Sequence, residues 1–398
     1  MHRSWALKSI VLGAALWGAA AALHAASVSV DPFSLLSHGA YDEDSGLFAV
    51  DSRLDFGLAL SGGDKFAGLL RLEYRSGTVE NDLYQNGLTL DAGTATTSDI
   101  VAKLNAASGL ALRTAAVSAR EIAGLPLEAT YFVGYLDSIC SGDDFVRLFG
   151  AAPFATALRG PLYYPDGVGG DASLSYDGLD AVYGTGARLS LAGEHSAAFL
   201  YLFQDSDLGQ GNWSGDLRGL LDGEKIKLEL FAGASLAPAC DYGLYRGGLL
   251  FDYRPGSLGE FFAQVGIPRW DPSEAFSINN FFFLFEPRVV LGPTNLAITV
   301  FYHPSYYREK ATGEKGALDL CVNWKLGNLA ATGSQGGLST LLEFRPLEDS
   351  PLSVDIAPYF SVISWGLEWS MKLDLVVFPY PAEWYGMFSP FIGVKTSF

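Results

Sequence analysis

The strongest constraint on this chain is a side-chain period of two, with charge confined to one of the two faces. In Leu47–Leu60 the even positions are Phe48, Val50, Ser52, Leu54, Phe56, Leu58 and Leu60, and the odd ones include Asp51, Arg53, Asp55 and Gly57. Phe66, Gly68, Leu70, Leu72 and Tyr74 likewise oppose Arg71, Glu73 and Arg75. Downstream, Ile226, Leu228 and Leu230 oppose Lys227 and Glu229; Phe281, Phe283, Phe285, Val289 and Leu291 oppose Glu286 and Arg288. Leu318, Leu320, Val322, Trp324 and Leu326 oppose Asp319, Asn323 and Lys325; Leu338, Leu342 and Phe344 oppose Glu343 and Arg345. Leu367, Trp369, Met371, Leu373, Leu375 and Val377 oppose Glu368, Lys372 and Asp374. A helix would scatter those charges around its circumference, so these segments are strands.

Turn chemistry separates the strands at two scales. Short connections fall near Ser61–Lys65, Ala123–Pro126, Gly193–Ser196, Asp222–Glu224, Pro255–Gly259 and Gly292–Thr294. Longer ones cover about 77–107, 138–175, 205–212, 268–278, 304–315 and 379–386. Threading the chain with short turns on one side and long loops on the other requires an even strand number. Eighteen strands result if Ser27–Leu35 is the first and Asn212–Leu221 precedes the Asp222-Gly223 turn. Sixteen result if Gly77–Gly109 and Ile363–Gly366 are threaded differently. A β-sandwich also alternates, but a charged face on nearly every strand suits a polar interior better than two solvated outsides.

The composition fits membrane crossing by strands. The chain is 49% hydrophobic and 13% aromatic, with 46 glycines. After the N-terminus no segment approaches the ~20 apolar residues of a membrane helix. Residues 1–25 carry two early cations, an apolar run over Ser9–Leu23 and the exit His24-Ala25-Ala26-Ser27, the pattern of a signal peptide cleaved after Ala25 or Ala26. Export is therefore expected, with 26–398 forming the folded unit. An acidic balance of 44 to 26 argues against nucleic acid as a partner.

The C-terminal strand carries the family likeness. Phe388, Pro390, Ile392, Val394 and Thr396 alternate with Phe391, Gly393, Lys395 and Ser397, and Phe398 is the last residue. This resembles the closing strand of bacterial outer-membrane β-barrels, porin-like in size; no motif assigns a narrower family. The resemblance implies an antiparallel transmembrane β-barrel of 16–18 strands in the outer membrane. It also implies outer-membrane lipid and the barrel assembly machinery as partners, with Phe398 as the assembly signal.

On that fold the charged parity faces inward. The expected pore-lining residues are Asp51, Arg53, Asp55, Arg71, Glu73, Arg75, Arg188, Arg218, Lys227 and Glu229. Downstream they are Arg246, Asp252, Glu286, Arg288, Asp319, Lys325, Glu343, Arg345, Glu368, Lys372 and Asp374. Arg113, Glu128, Asp216, Asp355 and Lys395 share the parity. The bland reading is a set of cross-strand ion pairs that only keep an inner surface hydrated.

Two loop segments read as helical: Ser98–Leu104, and Ser141–Phe149 with Ser141 as its cap. The second lies in the longest loop, whose Phe145, Leu148, Phe149 and Phe154 need a surface to pack on. Folded inward it forms a constriction built from Phe145, Arg147, Phe149 and Arg159, with the two arginines facing acidic wall residues. A surface excursion is the plain alternative.

Little points to catalysis. His38, His195 and His303 have no serine or carboxylate placed to partner them on neighbouring strands, so no enzyme is expected. Asp42-Glu43-Asp44-Ser45-Gly46 lacks the downstream glutamate of a calcium loop and reads as a solvated acidic turn. Gly167–Gly170 lacks the lysine and helix of a phosphate cradle. No cofactor or metal is expected. Cys140 and Cys240 lie in connections where pairing is conceivable, Cys321 lies in a strand, and three free thiols are the bland reading.

The expected function is a channel for passive passage of small polar solutes, leaning towards cations because the chain is acidic. One alternative resembles the long-chain fatty-acid transporters, with Ser27–Gly46 as an N-terminal hatch and Phe132, Leu136 and Phe231 on the inner parity. Another is a non-conducting surface barrel that binds partners through its loops.

Overall fold

In hydrocarbon no water satisfies the backbone groups along a sheet edge, so alternating strands cross a membrane only as a closed sheet. The computed structural model shows that closure. It describes residues 26–42, 47–75, 110–152, 154, 156, 178–206, 212–236, 243–277, 280–303, 317–344, 352–381 and 383–396. The first nine strands are β1 Ala26–Asp42, β2 Leu47–Gly62, β3 Phe66–Arg75, β4 Leu110–Ala119, β5 Leu127–Ile139, β6 Asp180–Ala192, β7 Ser196–Asp205, β8 Trp213–Asp222 and β9 Ile226–Leu236. The second nine are β10 Leu244–Tyr253, β11 Gly259–Trp270, β12 Phe282–Leu291, β13 Thr294–His303, β14 Ala317–Asn328, β15 Ser334–Phe344, β16 Leu352–Ser364, β17 Leu367–Phe378 and β18 Phe388–Thr396.

Every strand pairs antiparallel with its sequence neighbours, and β1 pairs with both β2 and β18, so the 18-stranded sheet closes. The seam runs from Ser34 opposite Lys395 to His38 opposite Phe391, and the Phe33 N–H donates to Thr396 Oγ1 at 3.0 Å. Eighteen is thus the strand number, and sixteen is excluded by the presence of both β1 and β8. Because Ser27–Asp42 is built into the wall, the fatty-acid-transporter alternative loses its hatch. The Ile363–Gly366 ambiguity resolves into a two-residue turn, Trp365-Gly366, with φ of 55° and 74°. Turns of that hand match the twist of the strands they join.

The connections divide between two rims. After even-numbered strands they run from 365–366 at the shortest to 120–126 at the longest, whereas after odd-numbered strands they include 76–109 and 140–179. Outside the described residues lie the signal segment 1–25, the expected helix Ser98–Leu104, the acidic turn 43–46, Gly167–Gly170, Arg159, Cys240, Arg345 and Phe398.

Side-chain exposure follows the parity. Leu202, Leu217 and Leu230 are 58%, 62% and 50% exposed, while their neighbours Tyr201, Arg218 and Glu229 are buried. The apolar face therefore points out along β7, β8 and β9, and the charged face points in.

Candidate functional site: the barrel interior and its inward loop

The inward face is an ordered sequence of ion pairs. On β2–β4, Arg53 pairs with Asp55 at 3.0 Å and with Glu73 at 3.2 Å, and Arg113 reaches the same Glu73 at 3.0 Å. Arg71 is exposed on β3, opposite Gly57 and Thr114. The side chains of Asp51 and Arg75 are not among those described. On β6, Arg188 bridges Asp137 at 2.8 Å and Glu128 at 2.9 Å. On β10, Arg246 gathers Asp180 at 3.0 Å, Asp216 at 2.8 Å and, more distantly, Asp205 at 3.8 Å.

The pattern continues around the wall. Asp252 pairs with Arg254 at 2.9 Å, Arg288 with Glu286 at 2.5 Å and Glu260 at 3.1 Å, and Lys227 with Asp222. Asp319 and Glu343 are buried directly opposite each other on β14 and β15, and Lys325 is half-buried. Glu368 pairs with Lys395 at 3.1 Å, and Lys372 with Asp374 at 2.5 Å. One of these placements depends on a bulge: the shift between Tyr135 and Ser138 turns Asp137 inward, whereas Arg113 is the extra residue opposite Arg71/Leu72 and keeps the charged parity of its strand's first half. Strict parity misses Asp137 for that reason, whereas Glu260 lies on the charged parity and was legible by the same rule.

The loop after β5 folds into this interior. Its helix α1 covers Asp143–Phe149, starting one residue later than a Ser141 cap implies, because Gly142 takes a left-handed φ of 88° and serves as the N-cap. A Cβ at Gly142 would meet the Phe154 carbonyl oxygen at 2.8 Å and its ring at 3.2 Å, so the position needs glycine. Ser141 still contributes: its Oγ accepts from the Asp143 N–H at 3.2 Å and donates to the Ser138 carbonyl at 3.0 Å.

The loop's partners place it inside. The Cys140 N–H donates to Glu229 Oε1 at 2.6 Å, and Gln264 Nε2 donates to the Cys140 carbonyl at 2.5 Å. Asp144 pairs with Arg218, and Thr156 Oγ1 donates to Glu286 Oε2 at 2.6 Å. These wall residues sit on the inward face of β8, β9, β11 and β12. Phe145 and Phe154 pack with tilted rings at 5.4 Å between centres, and Phe154 meets Phe262 of β11 edge-on at 6.4 Å. Lys227 lies 5.8 Å from the Phe145 ring and Arg254 lies 5.4 Å from the Phe154 ring. Burying two phenylalanines is worth roughly 3–6 kcal/mol as an upper bound. The loop is thus held by apolar packing and polar grips together.

The charge arrangement reverses one expectation. Arg147 does not face an acidic wall: it pairs with Asp144 of its own helix at 2.5 Å, because residues three apart share a helix face. The loop instead presents a carboxylate, Asp144, to a basic wall residue, Arg218. Burial opposes the Asp144 charge, but Arg218 and then Arg147 outweigh it and hold the carboxyl at about 2. Burial pushes the Cys140 thiol well up, and both Cys140 and Cys321 carry free thiols. Phe145 is fully buried as an anchor, and Phe149 is partly buried at the edge of the core. His38 is buried on β1, whereas His195 is exposed in a short turn with Glu194 3.8 Å away. Among the described residues no His, Cys, Asp and Glu group could hold a metal ion.

A closed antiparallel barrel with an apolar exterior and a charged interior is a transmembrane β-barrel of the outer-membrane type. No family model and no curated protein matches the sequence. Among solved structures, the chain is similar to an engineered mutant of Rh. blastica porin at 10% identity and a TM-score of 0.47, covering 94% of this chain and 100% of that one. A triple mutant of the Rhodopseudomonas blastica porin gives 11% and 0.42 over the same shares. With likeness this distant, the barrel architecture stands on the strand pairing itself.

Proposed function

We propose that this protein is a bacterial outer-membrane channel for passive passage of small polar solutes, with a preference for cations. The observation that carries the reading is a charged inner face on a barrel of 18 strands. Side chains fill a barrel of about eight strands, and 16 to 18 strands leave room for an aqueous lumen. Half-exposed Arg147 on the inner loop and exposed Arg71 on β3 fit an interior that water reaches. The inward ion-paired residues then line the pore, and the loop around α1, with Arg147 and Phe149 at its edge, narrows it. Three aspartates around the single guanidinium of Arg246 support the cation preference. The partners on this reading are outer-membrane lipid around the apolar belt, the assembly machinery that reads Phe398, and the solutes.

Planar-bilayer recording tests this directly. Stepwise conductance is expected, with a reversal potential under a potassium chloride gradient that reports cation selectivity. A second reading, a non-conducting barrel that binds partners through its loops, draws on the loop core covering the inner wall from β8 to β12. Bilayers that stay silent at high protein load favour that reading over the channel.

A further inference from the structure

We infer that Arg218 is the positioning residue that locks the inward loop onto the wall, with the rest of the grip depending on it. The inference rests on the channel reading only for what the loop narrows. Arg218 has a fully buried side chain on β8 and touches the loop's machinery at two points. Its Nη1 donates to Asp144 of α1, and its Nε donates to Glu229 Oε1 at 2.6 Å. That same Oε1 accepts the Cys140 N–H at 2.6 Å, so one guanidinium supports both the loop's entry and its helix.

Two features make this contact the controlling one. Cys140 holds a left-handed φ of 60°, unfavourable for a residue with a side chain, and it persists because Glu229 and Gln264 grip its two backbone groups. Among the described residues Arg218 is also the one wall cation that pairs with Asp144. The Thr156–Glu286 and Gln264–Cys140 hydrogen bonds hold neutral groups of the loop and compensate no charge on α1. Remove the guanidinium and two buried carboxylates, Asp144 and Glu229, lose their shared cation. Breaking a buried pair by deleting one partner is the costly way to break it. The side free to move is the loop, because Glu229 is fixed in the β9 ladder. The Arg218 plane also lies 5.1 Å from the Phe199 ring, which orients the fork towards both carboxylates.

The native Cys140 thiol reports the lock without any current being measured, since it is fully buried while the loop is seated. The barrel, refolded in detergent, is treated with N-ethylmaleimide, and peptide mapping reads modification at Cys140 alone. Heat-modifiable gel mobility confirms that the barrel is closed. Arg218→Gln is expected to speed Cys140 alkylation about a hundredfold, Arg218→Lys less, and Asp144→Asn by about tenfold. Partial rescue by lysine marks charge compensation and not packing alone. A folded Arg218→Gln barrel whose Cys140 stays as slow as in the parent overturns the inference. If that variant does not fold, Asp144→Asn decides, because it leaves the Arg218–Glu229 pair in place: faster alkylation supports the lock and an unchanged rate overturns it. Fast alkylation in variants that, like the parent, carry no current leaves the lock standing and removes the channel reading instead.

Discussion

A cation placed at mid-depth on the outer face gives a sharp test of the inside–outside assignment. Strand β8 has 10 residues, Trp213–Asp222. At about 3.3 Å per residue and a tilt near 45° it spans roughly 23 Å, close to the ~25 Å apolar band of such barrels. Leu217 is near its middle, is 62% exposed, and has Leu200 and Ala232 as cross-strand neighbours, so nothing beside it can pair with a charge. Leu217→Arg should therefore cost about 2–4 kcal/mol, or roughly 30- to 700-fold in the folding equilibrium. Leu221 lies on the same face near the short-turn rim, and Leu221→Arg should cost only about 0–1 kcal/mol because its side chain reaches the interface. Arg71→Gln on the inner face should cost less than about 1 kcal/mol. Urea titration of barrels folded into phospholipid vesicles, followed by gel mobility, measures all three. If Leu217→Arg is no more costly than Leu221→Arg, or Arg71→Gln exceeds both, the assignment is inverted.

Further outcomes follow from the loop and the chain end. Excising residues 143–159 should raise single-channel conductance and weaken selectivity; it should also lower thermal stability, since Phe262 and its neighbours lose their cover. Unchanged conductance would place the loop outside the conducting path. Deleting Phe398 should lower folded protein in the outer membrane while refolding into detergent stays near normal, and equal surface levels would count against an assembly role. The Asp144 carboxyl sits at about 2 when folded, below its ordinary 3.8, so its contact is at full strength above about pH 4 and is lost as pH falls through about 2. Pepsin cleavage near Phe145 and Phe149 should be absent at pH 4.5 and appear towards pH 2. Arg218, Arg147 and Glu229 surround that carboxyl, and Glu229→Gln measured alongside separates the two acids. Cleavage that does not vary with pH would show that the ion pair does not hold the loop.

Which residues face in and which face out was legible in the sequence. Facing is a local property: in a strand it follows from the backbone's period of two, so a charge at Glu229 between Leu228 and Leu230 reveals its side without knowledge of any partner. The strand number was legible only as sixteen or eighteen: closure demands an even count, but the turn residues left Gly77–Gly109 and Ile363–Gly366 open, and the closed sheet decided for eighteen. Parity failed at Asp137, where a bulge inserts one residue into β5 and swings a carboxylate inward. Gly134 within β5 hints at irregular backbone, with a φ of 93°, but it does not fix where the extra residue falls.

The grip on the loop belongs to the tertiary structure alone. Asp144 meets Arg218 across 74 positions, Cys140 meets Glu229 across 89, and Thr156 meets Glu286 across 130. Their meeting depends on where a closed barrel brings the inner faces of β8, β9 and β12 under one loop. The sequence shows that Phe145 and Phe154 need burial and that Arg147 is charged. It does not show that three residues of helix turn Arg147 back onto Asp144 and leave the carboxylate, not the guanidinium, to face the wall. Alternation determines a wall from neighbours alone, whereas a loop inside that wall is placed by contacts that exist only once the barrel has closed.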